Sequence, residues 1–116
     1  MKFKKINILV KISRLDHFIK HLFIIPGIFF AILLVPEYSI NYSNIFFGFF
    51  SSFLIASSNY AINEFLDRKY DKFHPNKKNR VLVKNKISKI EIIIYSFLLY
   101  FFGLIIAFNI NFLFFI

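Results

Sequence analysis

Three long apolar stretches run roughly from Phe18 to Val35, Ile45 to Leu66 and Ile90 to Phe108. Each is close to the ~20 residues that a helix needs to cross a ~30 Å hydrocarbon core. In the first, Lys20 and His21 stand near the start, Pro26 and Gly27 lie inside, and Pro36 follows the end. That arrangement predicts an interfacial first turn and a kink. The second is evenly apolar at first and then turns polar through Ser57, Ser58, Asn59 and Asn63, with no Gly or Pro to stop a helix. After Asn111 the chain resumes with Phe112, Leu113, Phe114, Phe115 and Ile116, which read as the first residues of a fourth span, because a terminal carboxylate is poorly solvated in a bilayer core. The pattern is that of an all-α integral membrane helical bundle fragment, about three transmembrane helices plus the start of a fourth, with a connecting loop over 67–89.

Composition strengthens this picture. Of 116 residues, 58% are apolar and 22% aromatic, too oily for an ordinary soluble fold. A net charge of +9 would suggest nucleic acid if the cations were spread over a soluble surface, but they are not. Lys2, Lys4, Lys5, Lys11, Arg14 and Lys20 precede or begin the first stretch, and the other basic residues all fall between positions 67 and 89. The connection from Pro36 to Asn44 carries Glu37 and no cation. The positive-inside rule therefore places the N-terminus and the 67–89 loop in the cytoplasm, in a protein of the cytoplasmic membrane whose partner is the lipid bilayer, with no nucleic acid. The basic N-terminal segment lacks a small-residue cleavage site, which argues against a removable signal peptide. Absence of cysteine removes disulfides, thiolate metal sites and cysteine nucleophiles.

The chemistry concentrates after the second stretch, where Asn59, Asn63, Asp67 and Asp71 recur every fourth residue. On a helix each step of four rises ~6 Å and drifts ~40°, so Asp67 and Asp71 project into one volume at the membrane boundary. Two carboxylates there suit a hard divalent cation, and Mg²⁺ commonly takes one or two carboxylates together with waters and substrate phosphate oxygens. Asn63 is placed to orient a metal-bound water or a phosphate oxygen. Downstream, Lys77, Lys78 and Arg80 offer cations to phosphate, with Arg14 and Lys20 as further candidates. A plainer account stays open for each feature. Mixed charges are ordinary at helix ends, Glu64 and Arg68 have the spacing of a surface pair, and topology or anionic lipid alone produces a basic loop. His74 reads as a loop residue, since no second His or Cys stands at a matching spacing.

With Asn63-x-x-x-Asp67-x-x-x-Asp71 in place after the second stretch, the chain resembles the UbiA prenyltransferase superfamily in its first acidic motif. The stretches His74-Pro75-x-Lys77-x-x-Arg80 and Arg14-x-x-x-Phe18-Ile19-Lys20-His21 look more like the branch of decaprenyl-phosphate phosphoribosyltransferases. Glu64 stands where the superfamily often has Asp, Val81 where Pro is usual, and Lys84-Asn85 where a small residue and Gly are common. The resemblance implies that Asp67 and Asp71 bind Mg²⁺, and that the activity is transfer of a prenyl group from a polyprenyl diphosphate donor to an acceptor. The phosphoribosyl variant would instead take phosphoribosyl diphosphate as donor and polyprenyl phosphate as acceptor. It covers the first three helices of a larger bundle and omits a second Asp-rich motif, so a fragment, a split gene product or a decayed copy is expected, with a second chain as one source of the missing helices. The reading from another class is a small non-catalytic membrane protein whose basic loop binds lipid or a partner.

Overall fold

The apolar runs become helices whose ends are set by proline, caps and charge. The computed structural model describes residues 2–14, 18–35, 41–85 and 87–111. In order these form α1 (Lys2–Ile12), α2 (Phe18–His21), α3 (Ile24–Leu34), α4 (Tyr42–Asp71), α5 (Val81–Lys84) and α6 (Lys89–Ile110), and a 3₁₀ turn at Lys77–Asn79 precedes α5. The described residues include no strand, so the all-α expectation holds. Phe112 to Ile116, expected to begin a fourth span, and Pro36 to Ile40 of the first connection lie outside the described residues.

The first apolar stretch is broken rather than merely kinked. The Leu22 and Phe23 N–H groups donate to the Ile19 and Lys20 carbonyls at 3.1 and 3.3 Å, tight turns that close α2. Helix α3 then restarts at Ile24, which puts Pro26 in its first turn. An N–H is not needed for the intrahelical ladder there, so proline costs no bond. The resulting α3 has 11 residues, ~16 Å of helix, short of a hydrocarbon core. Among the described helices, α4 and α6 are long and apolar enough to cross a membrane.

Those two helices pack against each other antiparallel. Ser51 Oγ donates to the Gly103 carbonyl at 2.7 Å, and Ser58 Oγ to the Ser96 carbonyl at 2.9 Å. At Gly103 the helices approach so closely that a Cβ would sit 2.7 Å from Ile55 Cγ1 and 3.2 Å from the Ser51 carbonyl oxygen. Small residues and interhelical hydrogen bonds suit association in lipid, where burying apolar groups against one another gains little over lipid tails. The outer faces keep Phe46, Phe47, Phe97, Phe101 and Phe102 exposed, which is costly in water and natural in a bilayer.

The basic end is closed by elements outside the three stretches. Helix α1 buries Ile8 and Ile12 with Ala61 of α4, Leu82 of α5, Ile87 just before α6 and Ile92 within it. Lys5 Nζ meets Glu91 Oε1 at 2.6 Å. Ser13 Oγ donates to the Leu9 carbonyl at 3.1 Å, which leaves the Tyr95 hydroxyl to donate to Ser13 Oγ at 2.7 Å. Glu91 also completes a capping box with Ser88 at the start of α6. Thus α1 and α6 meet where α4 ends.

Candidate functional site: an acidic helix end met by three cations

Helix α4 has 30 residues, about 45 Å at 1.5 Å per residue, so roughly its last ten extend past a ~30 Å hydrocarbon layer. Glu64, Asp67 and Asp71 fall in that extension. The stripe of every fourth residue rotates as it climbs, by ~40° a step, and by Asp71 it has turned about a third of the way around the helix from Asn59. Asn59 and Asn63 accordingly face outward, Asp67 keeps 56% of its side chain exposed, and Asp71 keeps 5%. A step of seven drifts only ~20°, so Glu64 lies directly below Asp71 on the buried line and is itself buried.

The chain after α4 folds back onto these acids. The Phe73 and His74 N–H groups donate to the Tyr70 and Asp71 carbonyls, the Asn76 N–H donates to His74 Nδ1 at 3.2 Å, and the 3₁₀ turn follows. Arg80 occupies the N-cap position of α5, and buried Leu82 pins that helix under α1. The return brings Arg80 Nη1 to 2.5 Å from Asp71 Oδ2 and 3.6 Å from Asp67 Oδ2. Lys77 Nζ lies 3.9 Å from Asp71 Oδ1. A third cation comes from the other side. Arg14, two residues past the end of α1, has φ 49°, in the left-handed region that a non-glycine residue enters at a cost of about 1–2 kcal/mol. There its Nε stands 3.7 Å from Glu64 Oε2 and its guanidinium carbon 5.9 Å from the Tyr60 ring centre.

Asp67, Asp71, Lys77 and Arg80 are therefore brought together, and Arg14 joins them through Glu64. Asn63, Lys78 and Lys20 are exposed and lie outside this group of ion pairs. Two features differ from the sequence reading. The residues that recur every fourth position, Asn59, Asn63, Asp67 and Asp71, do not share one face, because the drift per step accumulates and leaves the first three exposed and Asp71 buried. Glu64, whose spacing suggested a surface pair with Arg68, is buried and pairs with Arg14 instead. Its one legible signal was the recurrence of Ser57, Glu64 and Asp71 at steps of seven, the buried line of α4.

Asp67 and Asp71 are the acids that a metal would draw on, and one Arg80 nitrogen lies near an oxygen of each, at 3.6 and 2.5 Å. Among the described residues no group of three or more His, Cys, Asp or Glu side chains gathers around a common point. Two carboxylates match in kind the donors of a hard cation that completes its shell with water and phosphate oxygens, not those of an all-protein cage. Beside the site, on another face of α4, Ile62, Leu66, Ile92, Phe97 and Tyr100 line an open apolar groove of about 440 Å³ with Lys89 among its walls.

The described chain thus combines two helices long and apolar enough to cross a membrane with an acidic, cation-flanked helix end. Residues 24–116 match the UbiA prenyltransferase family, and the chain belongs to it. No curated protein and no solved structure matches the chain. Membership supports a membrane prenyltransferase kind of function, in a family that uses prenyl diphosphate-type substrates and is generally metal-dependent. Asn63, Asp67, Asp71, Lys77, Lys78 and Arg80 all fall inside the matched residues, whereas Arg14 and Lys20 precede them.

Proposed function

We propose that the end of α4 and its return loop bind the diphosphate of a polyprenyl diphosphate donor through Mg²⁺, on the cytoplasmic side of the membrane, as the first half of a prenyl-transfer site. The observation that carries this reading is the convergence of Asp67 and Asp71 on one cationic nitrogen. Asp67 and Asp71 would hold the metal, which when bound supplies positive charge to the departing diphosphate. Lys77 and Arg80 add cations that stabilise the same developing charge, Arg80 as a planar fork and Lys77 as a point charge. Lys78, exposed on the same turn, takes an outer phosphate oxygen, and Asn63 orients a water or phosphate from one helical step nearer the bilayer. Arg14 acts through Glu64: by neutralising that acid it keeps a third negative charge from opposing the donor. With the end of α4 at head-group depth in this reading, the polyprenyl tail stays in hydrocarbon while its diphosphate reaches the acids.

The test is magnesium-dependent release of diphosphate from a polyprenyl diphosphate by membranes carrying the protein, with phosphoribosyl diphosphate plus polyprenyl phosphate as the parallel donor pair. Asp67→Asn and Asp71→Asn are each expected to lower release by about 10²-fold or more. Turnover that both variants leave intact contradicts the assignment. Turnover of the phosphoribosyl donor alone moves the protein to the other branch of the same chemistry.

A further inference from the structure

We infer that Arg80 is a built-in placeholder cation: its guanidinium occupies the point where the Asp67 and Asp71 carboxylates converge, and a divalent metal that binds there displaces it toward the donor phosphate. The inference rests on the reading that this acidic pair holds a metal. Asp71 is almost wholly buried, and an ionised carboxylate there is strongly stabilised by a paired cation and destabilised by its loss. The contact at 2.5 Å is a charge-assisted hydrogen bond, and the same nitrogen leans on Asp67 at 3.6 Å. Magnesium demands oxygens at ~2.0–2.1 Å and keeps several waters, so the guanidinium and the metal cannot share these oxygens. Like charges a few Å apart also repel strongly at a partly screened site.

The local architecture permits the exchange. Arg80 sits at the N-cap of α5 in extended backbone, φ −58° and ψ 151°, so its side chain is not held in a helical row. The backbone on either side is fixed, by the Arg80 N–H donating to the Lys77 carbonyl at 2.9 Å and by buried Leu82. A long side chain on a fixed base can therefore swing while the loop stays. Arginine remains charged throughout, so the exchange is of one cation for another and involves no proton. Released from the acids, the guanidinium fork is free for phosphate oxygens beside the metal. Metal alone must expel Arg80, whereas metal arriving with diphosphate gives Arg80 a new partner. Binding of the two is thereby coupled through one side chain. Lys77, at 3.9 Å from the other oxygen of Asp71, keeps that acid partly compensated during the exchange.

The experiment uses Mn²⁺ as a spin-active probe on the purified full chain, titrated alone and with inorganic diphosphate, alongside the thermal midpoint at each metal concentration. Arg80→Gln is expected to bind Mn²⁺ alone about tenfold tighter than the parent, and to lose most of the enhancement that diphosphate gives the parent. It should also unfold at a lower temperature without metal and regain more on metal addition than the parent does. Should Arg80→Gln fail to fold, Arg80→Lys, whose compact ammonium lacks the reach to serve both acids, is expected to shift metal affinity in the same direction. Equal or weaker Mn²⁺ binding by these variants, with binding still abolished in Asp67→Asn/Asp71→Asn, overturns the placeholder and leaves the metal site standing. Mn²⁺ binding that survives the double Asn variant overturns the site itself.

Discussion

Glu64 and Asp71 stand two helical turns apart on one buried line of α4, and each is met by an arginine from a different segment, Arg14 from just past α1 and Arg80 from the return loop. Asp67, between them in sequence, is rotated outward and shares the second arginine. Glu64 is thus paired with Arg14, the left-handed residue just past α1, and the Asp67–Asp71 pair with Arg80.

Removing Arg14 is expected to cost more than neutralising its partner. Arg14→Ala leaves a buried carboxylate without its cation, a loss of about 1–3 kcal/mol, whereas Glu64→Gln leaves Arg14, itself partly exposed, to solvent. Thermal unfolding in detergent of the two single variants and the double variant measures this. The double variant should recover part of the Arg14→Ala loss.

The close approach of α4 and α6 makes a sharp contrast between two glycines. Gly103→Ala drives a methyl into Ile55 and the Ser51 carbonyl, and is expected to destabilise by about 1–3 kcal/mol. Gly27→Ala meets nothing within 4 Å in the described fold and lies in helix α3, so it is expected to be neutral or to stabilise by up to about 1 kcal/mol. Unfolding midpoints of the two variants under identical conditions decide the matter.

A similar contrast separates two serines. Ser58 Oγ bonds across the helices to the Ser96 carbonyl, while Ser96 Oγ is buried with no hydrogen-bond partner among the described residues. Ser58→Ala should cost about 0.6 kcal/mol, typical of such bonds in membranes. Ser96→Ala should cost nothing or stabilise, because it removes an unsatisfied hydroxyl. Identical losses in both would contradict this packing.

Much of this was legible from residue order because hydrophobic length is a strong signal. The two spanning helices follow from uninterrupted apolar runs, and α4 continues to Asp71 because neither Gly nor Pro stands in its polar half. Pro26 announced a disturbance, but where the helix breaks depended on which turn could do without an N–H. Helix α1 was hidden, since a lysine-rich segment with a short apolar run says more about topology than packing. Ile8 and Ile12 become core only when Leu82 and Ile92 arrive from elsewhere. The acidic pair was readable from its spacing of four. The role of Glu64 was not, because a carboxylate four residues before an arginine looks like a surface pair until the tertiary fold supplies a different arginine. The outward turn of Asn59 and Asn63 has the same origin: a small drift per step, negligible between neighbours, decides burial over three steps.

The most direct test of the account is pulsed electron resonance on Mn²⁺ bound to the full chain in the presence of inorganic diphosphate. Phosphorus hyperfine coupling to the bound ion is expected in the parent and is expected to be lost in both Asp67→Asn and Asp71→Asn. Bound Mn²⁺ without phosphorus coupling in the parent, or with coupling unchanged in the two variants, would contradict the claim that this helix end joins a metal to a diphosphate.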